Sequence, residues 1–455
     1  MQDSYTKELI NEPTENNISL VNDHDILLKK VMAKLLPVLF IAYFFSYLDR
    51  VNIGFAKLQM QSALGFSEAQ YALAASVLYI GYALFEVPSN ILMEKIGARK
   101  TLSRIMILWG LASAATMLVS STTSFYVIRF LLGVFEAGFF PCLILYLSYW
   151  FPSYYRAKVI SILLLATLAA PMLGAPISSL IMTNFDGALG LGGWQWMFLL
   201  EGLPIVFIGV FCFFFLTDNS AKAKWLTESE KKLHAEIILK DNLENNVQPK
   251  SKKYLLQLFT DINVYALAFL SFSTYCGVMA FNFWLPTFIK ELGVSNINHI
   301  GFYSVIPFAM AGIGVFYIGK RSDKKRERKW HYVISMIIAS ISIVIVSLNM
   351  FELWGTLILL GIALAGFYGG LAISWTLPAS YLEKSISAPG IALISTLATT
   401  SGIFAPILIG FVREHTGSSS LALMSIAGVA VAACLVMLFV IPKKALIVSE
   451  NISKS

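Results

Sequence analysis

Twelve stretches of this chain are apolar for long enough to cross a lipid bilayer, and no other feature constrains its fold as tightly. A helix needs about 20 apolar residues to span the hydrocarbon core. Such windows fall at residues 32–56, 69–93, 101–120, 123–150, 157–184, 196–217, 264–289, 300–319, 331–351, 354–381, 390–412 and 421–441. Only 13% of the 455 residues are charged, against about 25% in a soluble domain. The expected fold class is an all-α membrane protein whose core is the helix bundle itself. Pro37, Pro88, Pro141, Pro171, Pro176, Pro286, Pro307, Pro378 and Pro406 fall in or near the windows, where a bundle tolerates them as kinks.

Basic residues set the expected orientation. Of the 34 Lys and Arg, 29 fall on one side of the windows, three (Lys57, Lys290, Arg413) on the other, and two (Arg50, Arg129) inside them. Lys and Arg stay cytoplasmic, which puts both termini inside. The net charge of +7 is therefore topological, and no nucleic-acid motif accompanies it. Residues 1–31 form a polar tail unlike a signal peptide. Two six-span bundles follow, 32–217 and 262–441, with a second cytoplasmic tail at 442–455. The lysine-rich stretch 218–261 reads as a cytoplasmic linker. Within it, Thr227-Glu228-Ser229-Glu230 fits a capping box ahead of a short amphipathic pattern through Leu239, hence one surface helix. Cys142, Cys212, Cys276 and Cys434 are far apart and show no metal-ligand spacing, so neither a disulfide framework nor a metal or other cofactor is expected.

The halves echo each other. After span two the chain reads Asn90-x-x-x-Glu94-Lys95-x-Gly97-Ala98-Arg99-Lys100; after span eight it reads Gly319-x-x-x-Asp323-Lys324, then Arg326, Arg328 and Lys329. Parallel repeats of this kind build one large transporter class, although two basic cytoplasmic turns would look similar.

Four charges interrupt the apolar runs: Asp49 and Arg50 in span one, Arg129 and Glu136 in span four. Each costs roughly 2.5–3.5 kcal/mol at bilayer depth, so they must face one another or water. Either they mark a substrate or proton pathway, or they are an ion-pair cluster that fixes packing. Arg129 and Glu136 are two helical turns apart and share a face. At 1.5 Å per residue, Asp49 lies roughly 22 Å above Lys34 and Arg129 about 10 Å below Thr122, compatible depths in spans of opposite direction. Arginine captures carboxylates with a planar fork, and carboxylates carry protons. His24, His234, His299, His331 and His415 all lie in tails, loops or span ends. Two arginines and two ionised carboxylates sum to zero, the state that crosses the bilayer centre at least cost. A bound monoanion breaks that balance and one proton restores it. Tyr43, Tyr47 and Arg50 share a helix face, either as a cavity wall for an acid or as ordinary packing. Tyr79, Tyr275, Asn282, Trp284 and Trp375 are weaker candidates of the same kind. Glu86 is expected at the inner gate and Glu201 near the outer face, both as structural groups.

With these loops in view, the chain resembles a transporter of the major facilitator superfamily, with Asn90 where a glycine is usual and Glu94 where an aspartate is usual. The resemblance narrows to the anion:cation symporter family through Tyr47-Leu48-Asp49-Arg50-Val51-Asn52-Ile53-Gly54, Val87-Pro88-Ser89-Asn90 and Arg129-x-Leu131-Leu132-Gly133-x-x-Glu136-Ala137-Gly138-Phe139-x-Pro141. Gly193-Trp194-Gln195-Trp196-x-Phe198-x-Leu200-Glu201-Gly202 matches too. The nearest branch holds tartrate, 4-hydroxyphenylacetate, phthalate and nicotinate permeases. The resemblance implies two pseudo-symmetric six-helix bundles and proton-coupled uptake of a small organic carboxylate by alternating access. It assigns Arg50 and Arg129 as anion ligands, Asp49 and Glu136 as the protonated pair, and Glu94, Arg99 and Asp323 to gating loops. Span eleven departs: Ser395, Thr399, Ser401 and Gly402 stand in the stretch where relatives carry two asparagines and a glycine pair, which leaves the substrate open. The implied partners are an organic anion, a proton and the lipid of a bacterial inner membrane, with the monomer as the working unit. An exporter or anion exchanger of the same fold is the alternative. A membrane enzyme finds no support, since no intramembrane histidine, metal-ligand cluster or nucleophile–base pair is present.

Overall fold

The computed structural model describes residues 15–244 and 258–446. Twelve helical segments are long and apolar enough to cross a membrane: Asp23–Leu64, Glu68–Met93, Ala98–Leu118, Thr122–Trp150, Ser153–Asn184, Gly193–Phe215, Ile262–Glu291, Ile297–Lys325, Lys329–Ser347, Leu353–Tyr381, Pro389–Thr416 and Ser419–Phe439. These are spans one to twelve below. Each expected apolar window lies largely within one of them. The helix of span one runs from Glu15 to Leu64, well past the expected ends, because hydropathy detects only the apolar middle of a helix whose polar ends also pair their backbone. The expected tails and linker are described only at 15–31, 218–244, 258–261 and 442–446; the rest lies outside the described residues.

Most interruptions fall away from the prolines, the exception being span ten at Pro378. Pro37, Pro88, Pro171, Pro176, Pro286, Pro307 and Pro406 sit inside unbroken helix. Span four instead breaks between Glu136 and Phe139, where Gly138 adopts a left-handed φ of 83°. That conformation suits glycine. Ser89 of span two packs so close that a Cβ here would stand 2.7 Å from its Oγ and 2.8 Å from its Cβ. Span ten breaks before Leu377-Pro378 and span eleven at Thr400.

The two six-span bundles meet through spans one and seven, two and eleven, and five and eight. Tyr71 donates to the carbonyls of Ile53 and Phe283 (3.1 and 3.3 Å), and Ser76 donates to the Ile403 carbonyl at 3.0 Å. At the end remote from the termini the contact is ionic. Glu68 pairs with Lys57 at 2.7 Å and with Arg413 at 3.0 Å, while Arg413 also reaches Glu291 at 2.8 Å. The Trp284 ring carries both cations on its face, Lys57 at 3.7 Å and Arg413 at 5.2 Å. Two of the three basic residues expected on that side are thus spent joining the halves.

After span six, the helix Glu228–Glu244 docks on the near end of the first bundle. Lys30 pairs with Glu230 at 2.6 Å, Asp241 caps Ser153, and His234 is buried with Nε2 3.0 Å from the Trp150 carbonyl. Burial holds the His234 pKa below its ordinary value, against the opposing pull of the Trp150 carbonyl, and the Lys30 ammonium lowers that of Glu230. Both groups therefore support docking above their ordinary pKa values and lose that support as pH falls. Amide hydrogen exchange across 228–244 is expected to speed up between about pH 7.5 and about pH 5.5, beyond the intrinsic pH effect, the window in which histidine charges. Unchanged protection would contradict the docking.

Candidate functional site

Span one carries Ser46, Asp49, Arg50 and Asn52 into the first bundle, and adjacent residues on a helix point about 100° apart. Asp49 and Arg50 consequently serve different neighbours. Arg50 crosses to span four, where Nε and Nη2 donate to the same Glu136 oxygen, Oε1, at 3.0 and 2.7 Å. The Ser46 hydroxyl donates to that oxygen at 2.8 Å. The other oxygen, Oε2, is buried and makes no hydrogen bond among the described residues. Arg50 keeps 17% of its side chain exposed while Glu136 keeps 1%.

Asp49 turns toward span three. It accepts hydrogen bonds from Trp109 Nε1 at 3.1 Å, from the Ser113 hydroxyl, and from Asn52 Nδ2 at 3.5 Å. Arg129 is 1% exposed, and its three guanidinium nitrogens have no hydrogen-bond partner among the described residues. Among charged groups Asp49 acts on it most strongly and Glu136 less. Of the four charges predicted to gather, Arg50 and Glu136 form a direct ion pair, while Arg129 feels Asp49 and Glu136 electrostatically and makes no ion pair among the described residues. Arg129 faces the bundle interior and not lipid.

Tyrosines surround Arg50. Its guanidinium lies over the Tyr47 ring at 5.4 Å and the Tyr82 ring at 5.5 Å. Tyr43 packs edge-on to Tyr47 (5.4 Å) and stacks on Phe140 (5.5 Å). Tyr79 acts electrostatically on Arg50, Glu136 and Arg129, and its hydroxyl reaches Met279 sulfur across the bundle boundary at 3.2 Å. From the second bundle, Tyr275 acts on Arg50 and Tyr47, and Tyr368 acts on Tyr47 and Tyr275. The Tyr368 hydroxyl is buried and unpaired. The result is a cation between two aromatic faces of the first bundle, Tyr47 and Tyr82, an arrangement suited to an acid with an aromatic or hydroxylated body.

Tyr82, Tyr368, Trp109, Ser113, Asn52 and Ser46 were not singled out from the sequence as site candidates. Two carried a signal: Tyr82 is three residues beyond Tyr79, and Ser46 is four residues before Arg50, so each shares a helix face with a named residue. Of the named candidates, Asn282 is buried with Oδ1 unpaired, and no hydrogen bond joins it to either arginine among the described residues. Ser395 is half-buried; Thr399 is exposed and donates to its own helix at Ser395 and Thr396. Span eleven instead meets Tyr79 at Gly402, beside the buried and unpaired Ser401 hydroxyl. Trp284 belongs to the remote ion cluster, and Trp375 packs on Tyr275. Glu86 acts on Tyr82 and Arg50, where a place among the basic loop residues was expected.

Of the loop residues, Arg99 is anchored to Asp218: its backbone N–H donates at 3.0 Å and its guanidinium stands 3.9 Å away. Asp323 pairs with Arg328 at 2.6 Å and stays largely exposed. The Glu94 side chain lies outside the described residues.

A bundle of twelve spans that buries ion pairs beneath an aromatic-lined arginine defines a membrane transporter. The chain belongs to the major facilitator superfamily: the sequence profile described as Major Facilitator Superfamily matches residues 39–386. The metabolite transport protein NicT of Pseudomonas putida is 39% identical over 94% of this chain and 98% of its own length. A protein of Agrobacterium vitis named as a tartrate transporter is 39% identical over 90% of this chain and 94% of its own. The quinolone resistance transporter of Acinetobacter baumannii is 36% identical over 86% and 89%. A crystal structure of the D-xylose–proton symporter overlays with a TM-score of 0.74 at 14% identity, over 91% of this chain and 98% of that one, a likeness of fold. The first two names agree with the branch that the span-one and span-four motifs resemble.

Gly133 lies midway between Arg129 and Glu136, and span four rests there on the Leu78 carbonyl of span two so closely that any Cβ would collide with backbone. Gly133→Val is expected to cost at least about 1–3 kcal/mol of stability, read as earlier thermal unfolding in detergent. A melting temperature equal to that of the unaltered protein would contradict this seating of span four.

Proposed function

We propose that the protein takes up a small organic carboxylate together with protons, by alternating access, across a bacterial cytoplasmic membrane with both termini inside. The observation that carries this reading is the Arg50–Glu136 ion pair, buried between spans one and four with the Tyr47 and Tyr82 rings on the guanidinium. Protonating Glu136 on the unpaired Oε2 removes the charge that holds Arg50. The arginine fork is then free to take a substrate carboxylate, and the buried charge stays balanced. Asp49 and Arg129 form a second, looser couple without a direct ion pair; on this reading a dianion has two cations and two acids to draw on. Tyr43, Tyr47 and Tyr79 contact the body of the substrate, and Asn282, Ser395 and Thr399 bound it from the second bundle. The loops at Glu94, Arg99 and Asp323 gate the cytoplasmic end.

The ion cluster Lys57–Glu68–Arg413–Glu291 ties the bundles at the end remote from the termini. On this reading it shuts the outer side and must come apart for substrate to enter from outside. The name of the A. vitis relative, a tartrate transporter, favours a carboxylate substrate. The name of the A. baumannii relative favours an exporter, the second reading.

A ligand-induced thermal shift on purified protein decides between them. Tartrate, an aldonate, 4-hydroxyphenylacetate, phthalate, nicotinate and a quinolone are tested at two pH values. The account expects a shift with one of the acids, larger at the lower pH, and its loss in Arg50→Ala and Arg129→Ala. A shift with the quinolone alone, or one that survives both substitutions, would sink the carboxylate reading.

A further inference from the structure

Glu201 is a third carboxyl buried among these helices, and neither arginine answers it. It lies in span six and is 3% exposed. Oε1 is 2.6 Å from Ser178 Oγ of span five, and Oε2 is 3.0 Å from Asn52 Nδ2 of span one. The same Asn52 nitrogen stands 3.5 Å from Asp49 Oδ1. One amide thus bridges two acids. Among the described residues Asp49 is the only charged group acting on Glu201. The neighbouring spans three and five present Trp109, Ser113 and Ser178, all uncharged.

Glu86, half-buried, acts on Arg50 from span two; apart from it, the set holds three carboxyls and two arginines. Arg50 is taken by Glu136, and Arg129 is balanced chiefly by Asp49. Ionising Glu201 as well would leave one negative charge without a countercharge, which a low-dielectric interior penalises heavily. We propose that Glu201 is a resident neutral acid, a positioning residue whose protonated carboxyl holds the Asn52 amide toward Asp49.

The contacts fit that protonation state. With the proton on Oε1, the short contact to Ser178 runs from the carboxyl O–H to the serine oxygen, at a length usual for O–H···O. Oε2 accepts one Asn52 N–H. The second Asn52 N–H turns to Asp49, which then accepts from Trp109, Ser113 and Asn52 and donates to none, the pattern of a carboxylate. Glutamine at 201 reproduces every one of these contacts: its oxygen accepts from Asn52 and its amino group donates to Ser178. Alanine reproduces none.

The transport part of the test rests on the proton-coupled reading above; the spectroscopic part does not. Infrared difference spectra of purified protein in lipid at neutral pH, unaltered against Glu201→Gln, are expected to show the loss of one protonated-carboxyl C=O band with the carboxylate bands unchanged. Glu201→Gln is expected to keep the pH profile of uptake, and Glu201→Ala and Asn52→Ala to move its midpoint. Loss of a carboxylate band, or a moved profile in Glu201→Gln, would show that Glu201 is ionised or itself exchanges protons, and would overturn the proposal. Alanine variants that take up substrate with an unmoved profile would overturn its positioning role. If uptake by the unaltered protein ignores pH altogether, proton coupling fails while the infrared bands still decide the state of Glu201.

Discussion

A guanidinium inside a bilayer must be answered by an acid, and the rest of this molecule is arranged around that requirement. Arg50 is answered directly by Glu136, with both donors on one carboxylate oxygen. Arg129 is answered at longer range by Asp49, and its own nitrogens make no hydrogen bond among the described residues. The first couple is locked and the second is loose. A buried pair of this kind adds little net stability, but removing one partner leaves a stranded charge that costs roughly 3–5 kcal/mol.

The backbone around the pair serves its placement. Gly133 lets span four lie against span two, and Gly138 ends the helix just after Glu136 and turns toward Ser89 and Asn90. The motif stretches Arg129 to Pro141 and Val87 to Asn90 are thus one contact seen from two spans. The second bundle comes near the site with Tyr275 and Tyr368, while its Arg413 and Glu291 join Lys57 and Glu68 at the remote end. The four charges that interrupt the spans thus belong to the first bundle.

Much of this was legible from residue order. Hydropathy located the twelve spans, and the rarity of charge in them singled out Asp49, Arg50, Arg129 and Glu136. Helical periodicity put Arg129 and Glu136 on one face, and both are buried. The partition of the four charges was not legible, because spacing along a helix says which side chains share a face and not which neighbouring helix that face meets. Trp109, Ser113 and Asn52 were missed for the same reason: each acquires its role only by tertiary contact with Asp49. Breaks at Gly138 and Thr400 were missed because proline was the sign looked for, and these bundles carry most of their prolines in continuous helix. The surface helix was anticipated, but the burial of His234 beneath Trp150 was not, since a single histidine in a polar stretch looks like any solvated one.

The central claim is that a proton on Glu136 frees Arg50 for an anion. It is tested most directly by recording substrate uptake and internal pH together in weakly buffered proteoliposomes, with unaltered protein and with Glu136→Gln. The account predicts that the unaltered protein accumulates substrate only as the interior acidifies, and that Glu136→Gln still exchanges substrate across the membrane but no longer accumulates it against a gradient. Accumulation without acidification, or a Glu136→Gln variant that concentrates substrate as well as its parent, would contradict it.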